Sequence, residues 1–278
     1  MIIWIASYPK SGNTWVRTFL SNILYTNDGI NDFTKLEKIS QFPNRNHFKK
    51  FVKDFQKISE IYSNWKDVQD YINLDNRIKL FKTHHVNCKI ENYSFTDNSN
   101  SLGVIYIVRD PRTVLVSLKN HFMLNDFDEA KKFILNEKNW VGFNFDENNK
   151  NLLSKVPTLI SSWRVNYLSW KNKVQNYLFI KYEDLLANPN EQFYRITEYL
   201  EKLMKCKFDK SKIDNAIKST SFDELQKLEK KGYFNEYDKE TKFFNLGPKN
   251  DWKTMLNDEI VNEINLKFKS EMIELGYL

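Results

Sequence analysis

Residues 2–15 read Ile-Ile-Trp-Ile-Ala-Ser-Tyr-Pro-Lys-Ser-Gly-Asn-Thr-Trp, and this stretch decides the fold. An apolar run closes in a tight polar turn containing Gly12. An amphipathic run follows, with Val16, Phe19, Leu20, Ile23 and Leu24 on its apolar side. The pattern is strand, loop, helix. The first N–H groups of a helix have no intrahelical partner, so such a junction forms an anion cradle. Ser11, Gly12, Asn13 and Thr14 line it, and Lys10 adds a positive charge. The common nucleoside-triphosphate loop has the form G-x-x-x-x-G-K-[ST], with its lysine after the second glycine. Here the lysine precedes the glycine by two positions. The cradle therefore suits a phosphorylated ligand but is not the usual ATP or GTP loop.

The chain has 278 residues, 41% of them hydrophobic and 15% aromatic, which is enough for a packed core. We expect a single domain over 1–278. The apolar run at the N-terminus has no basic segment before it and leads straight into the Tyr8-Pro9-Lys10 turn, so it reads as a core strand rather than an export signal. No stretch approaches the ~20 apolar residues of a membrane span. Cys88 and Cys206 have neither metal-site nor disulfide-framework spacing and fit two reduced thiols in a cytoplasmic protein. The net charge of +6 suits an anionic ligand. No basic stripe with interleaved aromatics argues for nucleic acid.

Further along, residues 26–78 are polar and aromatic and read as an insertion that packs on the core or covers a pocket, with helical stretches near 32–39 and 46–59. Residues 78–83 alternate like a strand and end in His84-His85. Residues 103–109 form a near-continuous β-branched run, as in the middle of a parallel sheet. Asp110-Pro111 then starts a helix, with Asp110 as its N-cap. A helix is expected over 159–173, a strand over 177–181, and helices over 190–204, 209–218, 222–231 and 256–274, with a long loop at 232–251. Strands alternating with helices predict an α/β fold: a doubly wound, mainly parallel central sheet flanked by helices, with a P-loop-like nucleotide-binding core. Ligands of such sheets sit outside the carboxyl ends of the strands. The polar groups fall at those ends: residues 10–14, residues 82–85, Arg109 and Tyr182.

Tyr8-Pro9-Lys10-Ser11-Gly12-Asn13-Thr14-Trp15 resembles the first signature of the cytosolic sulfotransferase family. The run from Tyr106 to Ser117, with Arg109 closing a strand and Ser117 on the next helix, is similar to the second. Lys82-Thr83-His84, Tyr182-Glu183-Asp184-Leu185, Thr220-Ser221-Phe222, and Gly247 with Asp251-Trp252-Lys253 match further segments in order. The resemblance implies transfer of a sulfuryl group from 3′-phosphoadenosine 5′-phosphosulfate (PAPS) to a hydroxyl or amine acceptor, leaving adenosine 3′,5′-bisphosphate.

PAPS has a 3′-phosphate apart from its sulfate–phosphate anhydride, so two anion sites are needed. The resemblance gives the first to residues 10–14, with Lys10 at the oxygen bridging phosphorus and sulfur, and the second to Arg109 and Ser117. Arginine offers a planar donor fork suited to phosphate. His84 is the expected general base, since imidazole can take a proton near neutrality. Lys82 shares its side of the strand and can hold sulfuryl oxygens, whereas His85 points the other way. Trp15, Tyr182, Thr220 and Phe222 are carried over as nucleotide contacts. Arg17 reads as a helix-surface ion pair. The last segment departs from the family: a basic pair is expected at 245 and 246, where this chain has Asn245 and Leu246. Gly247 and Lys249 are the expected substitutes in gripping the 3′-phosphate.

No metal is expected. The sequence does not identify the acceptor; a small molecule, carbohydrate or lipid headgroup is expected, in a pocket built by residues 26–78, 123–150 and 232–245. Their phenylalanines, among them Phe33, Phe42, Phe48, Phe51, Phe122, Phe127, Phe143 and Phe145, slightly favour an apolar one. The alternative is a P-loop nucleotide kinase or NTPase, which requires a metal-binding acid at a strand end.

Overall fold

The computed structural model describes residues 1–142, 156–234, 243–244 and 247–278. Phe143, Phe145, Asn245 and Leu246 lie outside these residues. Four strands make the central sheet: β1 (Ile2–Ser7), β2 (Lys79–Thr83), β3 (Ser101–Val108) and β4 (Tyr177–Lys181). Their order is β2-β1-β3-β4 and every pairing is parallel. Ala6 pairs with Thr83, Ser7 with Ile107, and Val108 with Lys181, so all four carboxyl ends lie along one edge.

Both faces of the sheet are covered, which is why β1 is apolar without alternation. Ile2, Ile3, Trp4, Ile5 and Ala6 are all fully buried. Alternating direction assigns Trp4, Val104 and Tyr106 to one core and Ile3, Ile5, Ile105 and Ile107 to the other. The second core is closed by α1 (Asn13–Tyr25), α6 (Pro189–Met204) and α7 (Lys210–Ser219). The first is closed by α2 (Pro111–His121), α3 (Phe127–Leu135), α4 (Trp163–Trp170), α9 (Asp258–Lys267) and α10 (Lys269–Glu274). Between α4 and α9 lie α5 (Tyr182–Ala187) and α8 (Phe222–Lys230).

Of residues 26–78, those from Phe42 to Val68 pack in the first core, whereas Ile39 packs in the second and Leu36 in a small third cluster. Phe42 and Phe95 pack on Trp4 at 5.4 and 5.5 Å between ring centroids, and Phe48 and Trp65 are fully buried. Residues 40–42 also run beside β2: Lys82 N–H donates to Ser40 O (3.0 Å), and Phe42 N–H donates to Lys82 O (2.8 Å). That pairing covers part of the β2 edge and fixes the backbone of Lys82. The helix expected over 46–59 is not formed as one piece. It occupies Arg45–Phe48 and resumes at Ile58, because the Glu60 carboxylate accepts from Lys53 N–H and Asp54 N–H and holds a turn. The helix expected over 256–274 breaks at Phe268, whose ring is buried 5.1 Å from that of Trp163.

Candidate active site

The cradle begins where β1 ends. Lys10 has φ 66° and Gly12 has φ 102°, with Ser11 between them. Left-handed residues flanking one of ordinary φ turn successive N–H groups toward one point and make an anion-binding nest. A lysine in this conformation is strained and persists only where its surroundings impose it. The imposing contacts are visible. Asn13 Nδ2 donates to Ile5 O (2.9 Å) and Ser7 Oγ (3.2 Å), tying the start of α1 to the end of β1. Asn13 thus offers a ligand its backbone N–H, since its amide group faces the strand. No side chain caps α1, and its first turn holds no acid. Ser11 Oγ is buried without a protein partner. An uncapped helix end beside an orphaned hydroxyl suits an anion.

Gly12 is required twice over. Its φ lies in the left-handed region, and a Cβ there would stand 2.5 Å from Tyr182 Cδ2. Gly12→Ala should lower stability by about 2 kcal/mol, from strain and displacement of Tyr182. It should also weaken nucleotide binding. Chemical denaturation and calorimetric titration test the two effects, and unchanged affinity would remove Tyr182 packing from the cradle's support.

Tyr182 starts α5 and is itself buried; the Arg109 guanidinium lies over its ring at 4.0 Å. The tyrosine therefore supports Arg109 and Gly12 from below. Arg109 Nη1 donates to Lys10 O (3.0 Å) and approaches Ser117 Oγ (3.5 Å), while Nε is buried without a partner. Trp163 Nε1 donates to Arg109 O (3.0 Å) and fixes the backbone. The two expected anion sites are therefore joined through one hydrogen bond to the backbone of Lys10.

The Lys10 ammonium lies 4.2 Å above the Phe243 ring. Burial, then the neighbouring Arg109 and Lys82, lowers its pKa to about 7; Glu229 acts in the opposite sense. Glu229, on α8, also accepts from Phe243 N–H and Phe244 N–H (3.0 Å for the latter), which fixes the ring over the lysine.

His84 follows β2. Its Nδ1 lies 2.8 Å from Ser7 O. A carbonyl only accepts, so Nδ1 carries the proton and Nε2 keeps a free lone pair. Burial, followed by Lys82, holds its pKa down at about 3, so the ring is neutral. Asn166 Nδ2 donates to His84 O (2.9 Å) and Ile160 O (2.9 Å), and Tyr106 OH donates to Asn166 Oδ1 (2.9 Å). His85 faces the core instead: its ring stacks on Phe95 at 4.4 Å, and Nδ1–H donates to Val86 O (2.6 Å).

Trp15 and Phe222 are half-buried and pack, with Phe33 and Phe243, on a small cluster around Leu36 and Leu225. Gly247, at φ 51°, passes over Phe222 so closely that a Cβ would stand 2.3 Å from the ring. Thr220 is fully buried, and its hydroxyl donates back to Ala216 O (2.7 Å), so its proton serves the end of α7. Lys249 is exposed. The side chain from this segment that reaches Ser117 is Asn250, through Nδ2 (2.7 Å). Arg17 does not lie on the surface as expected: it is 2% exposed, and its charge helps keep His84 neutral.

Ser7, Asn166, Glu229 and Asn250 were not singled out by sequence. Only Asn250 carried a signal, by lying in the segment that departs from the family pattern. Asp110 caps α2 by accepting from Arg112 N–H (2.9 Å), and its carboxylate pairs with the Arg112 guanidinium at 2.7 Å. That buried pairing removes it as the metal-binding acid a kinase needs. Among the described residues no group of acids, histidines and cysteines could hold a metal ion, and no helix is long and apolar enough to cross a membrane.

Comparison with known proteins agrees. The sulfotransferase domain family model matches residues 2–276. Cytosolic sulfotransferase 9 of Arabidopsis thaliana is 24% identical over 95% of this chain and 76% of its own length. Flavonol 3-sulfotransferase of Flaveria bidentis is 25% identical over 95% and 79%. Mouse sulfotransferase SULT7A1, solved with PAP, shares the fold with a TM-score of 0.62 at 20% identity, over 98% of this chain and 84% of that one. A retinol dehydratase structure with androsterone and PAP gives 0.58 at 15% identity, over 98% and 80%. The match to the family model spans both expected anion sites and the strand end bearing His84, and the chain belongs to the sulfotransferase family.

Proposed function

We propose that this chain moves the sulfuryl group of PAPS to a hydroxyl-bearing acceptor by in-line displacement at sulfur. The observation carrying this reading is the meeting, at one sheet edge, of a neutral histidine with a free Nε2, a desolvated lysine and a clamped arginine. The donor set fits a doubly phosphorylated nucleotide. Ser11 Oγ and Arg109 Nε are buried and unpartnered, and the cradle is uncapped. PAPS supplies a sulfuryl group already activated as a mixed anhydride.

His84 Nε2 takes the acceptor's proton as its oxygen attacks. Lys10 donates to the oxygen that leaves with the phosphate, where negative charge grows. Lys82 holds sulfuryl oxygens, a role supported by the action of its charge on both Lys10 and His84. Arg109 and Ser117 hold the 3′-phosphate. Trp15 and Phe222 flank the adenine, whose face suits aromatic contact. The leaving oxygen's charge is met by a lysine and backbone N–H groups, so the step needs no metal. We take residues 1–278 as one catalytic domain acting on a small-molecule, carbohydrate or lipid-headgroup acceptor. Two free thiols and relatives named as cytosolic support a cytoplasmic setting.

Thermal unfolding with added ligand tests the class. Adenosine 3′,5′-bisphosphate should raise Tm and ATP with magnesium should not. The reverse result would restore the kinase reading. Transfer from labelled PAPS across acceptor panels then identifies the acceptor.

A further inference from the structure

Ser117 is half-buried on α2, and its hydroxyl has two recorded neighbours: Asn250 Nδ2 at 2.7 Å and Arg109 Nη1 at 3.5 Å. The amide orientation of Asn250 is fixed independently. Its Nδ2 also lies 3.1 Å from Thr113 O, and a backbone carbonyl only accepts, so the NH2 group faces α2. Asn250 therefore donates to Ser117 Oγ. A guanidinium has no acceptor, so Arg109 also approaches Ser117 as a donor. A serine oxygen has two lone pairs and one proton. With Asn250 donating at 2.7 Å and Arg109 approaching as a second donor, the hydroxyl proton is left to an acceptor outside this group. Among the described residues the protein provides none.

We propose that Asn250 is a positioning residue for the nucleotide's 3′-phosphate: by occupying a lone pair of Ser117 Oγ, it turns the Ser117 hydroxyl proton toward the anion beside Arg109. The proposal rests on the reading of Arg109 and Ser117 as the 3′-phosphate pocket. Two further observations carry it. Asn250 Oδ1 is buried and has no partner. An amide kept only for packing would leave that acceptor unsatisfied at a cost of about 1–3 kcal/mol, which an apolar side chain of similar volume avoids. The neighbouring lysines, Lys249 and Lys253, are both exposed, and the side chain of this segment that bonds Ser117 is the neutral amide of Asn250. A neutral donor that orients a hydroxyl gives direction without adding charge. The charge at this end then comes from Arg109.

The test is calorimetric titration of the full chain with adenosine 3′,5′-bisphosphate and, separately, adenosine 5′-phosphate, which lacks the 3′-phosphate. Asn250→Ala should weaken bisphosphate binding roughly threefold to tenfold, the equivalent of about one hydrogen bond, and leave 5′-phosphate binding unchanged. Asn250→Asp should weaken it more, because a carboxylate accepts the Ser117 proton and repels the phosphate. The double variant Asn250→Ala/Ser117→Ala should be no weaker than Ser117→Ala alone, since Asn250 acts through the hydroxyl. Equal losses for both nucleotides, or additive losses in the double variant, would overturn the proposal. Should Asn250→Ala lower Tm sharply, the Asp variant decides, being nearly the same size. A wild-type protein that binds both nucleotides equally would instead overturn the pocket reading on which the proposal rests.

Discussion

His84→Ala is expected to lower turnover by about 10²- to 10⁴-fold, the range a positioned general base contributes, and to leave adenosine 3′,5′-bisphosphate affinity nearly unchanged. The expectation follows from one hydrogen bond. Ser7 O accepts from Nδ1–H at 2.8 Å, so the proton sits on the nitrogen facing the sheet and the lone pair sits on the other. Lys82, Arg17 and Lys10 all disfavour a charged ring, and burial does so most, which keeps the imidazole unprotonated throughout the neutral range. Single-turnover transfer from labelled PAPS measures the effect. His85→Ala is the contrast. It should lower Tm, because His85 stacks on Phe95 inside the first core, and should change turnover far less. Retained turnover in His84→Ala, with the fold and nucleotide affinity intact, would remove His84 as the base.

What could be read from sequence was what is local. The junction of β1, cradle and α1 is contiguous, and its apolar run, glycine and amphipathic helix each state their role within a few residues. The same holds for β3 running into Arg109, with Asp110 capping α2 at Arg112 N–H. The alternation that separates His84 from His85 is also local, and the two rings do occupy different environments. The meeting of the strand ends followed from parallel topology, which puts every carboxyl end on one edge.

What could not be read depends on partners far apart in the chain. Asn166 holds His84 across 82 residues, and Asn250 reaches Ser117 across 133. No spacing rule connects such positions. Composition leaves residues 26–78 two places, on the core or over a pocket, and three large rings, Phe42, Phe48 and Trp65, decide for the core by being fully buried. Arg17 did mislead. Helical periodicity locates an apolar face but cannot show that a polar position is closed off by the site itself, where Arg17 is 2% exposed.

Lys10→Met should combine loss of catalysis with a gain in stability near neutral pH. Removing one donor aimed at developing charge costs about 10²- to 10³-fold in turnover. The pH behaviour identifies the group. In the free protein Lys10 loses its proton near pH 7, because burial against Phe243 and the charges of Arg109 and Lys82 disfavour the ammonium. A bound phosphorylated nucleotide favours the ammonium and raises that value. Above pH 7 the free protein must therefore take up a proton to bind, and affinity falls by up to about tenfold per pH unit until the bound form also loses its proton. Phosphate second ionisations lie near pH 6, so the slope above pH 7 belongs to the protein. In Lys10→Met that slope should vanish. Stability moves with the same proton. The folded value of about 7 lies below the ordinary 10.5, so the unfolded chain binds more protons between them, and wild-type stability rises with pH across that window. At pH 6 to 7 the wild type carries the full penalty of a buried cation, and the Met variant should unfold at a higher temperature. Calorimetric titration from pH 6 to 9, with thermal unfolding over the same range, tests both. A pH slope in nucleotide affinity that survives the substitution would show that another group takes up the proton and that Lys10 does not face the bound anion.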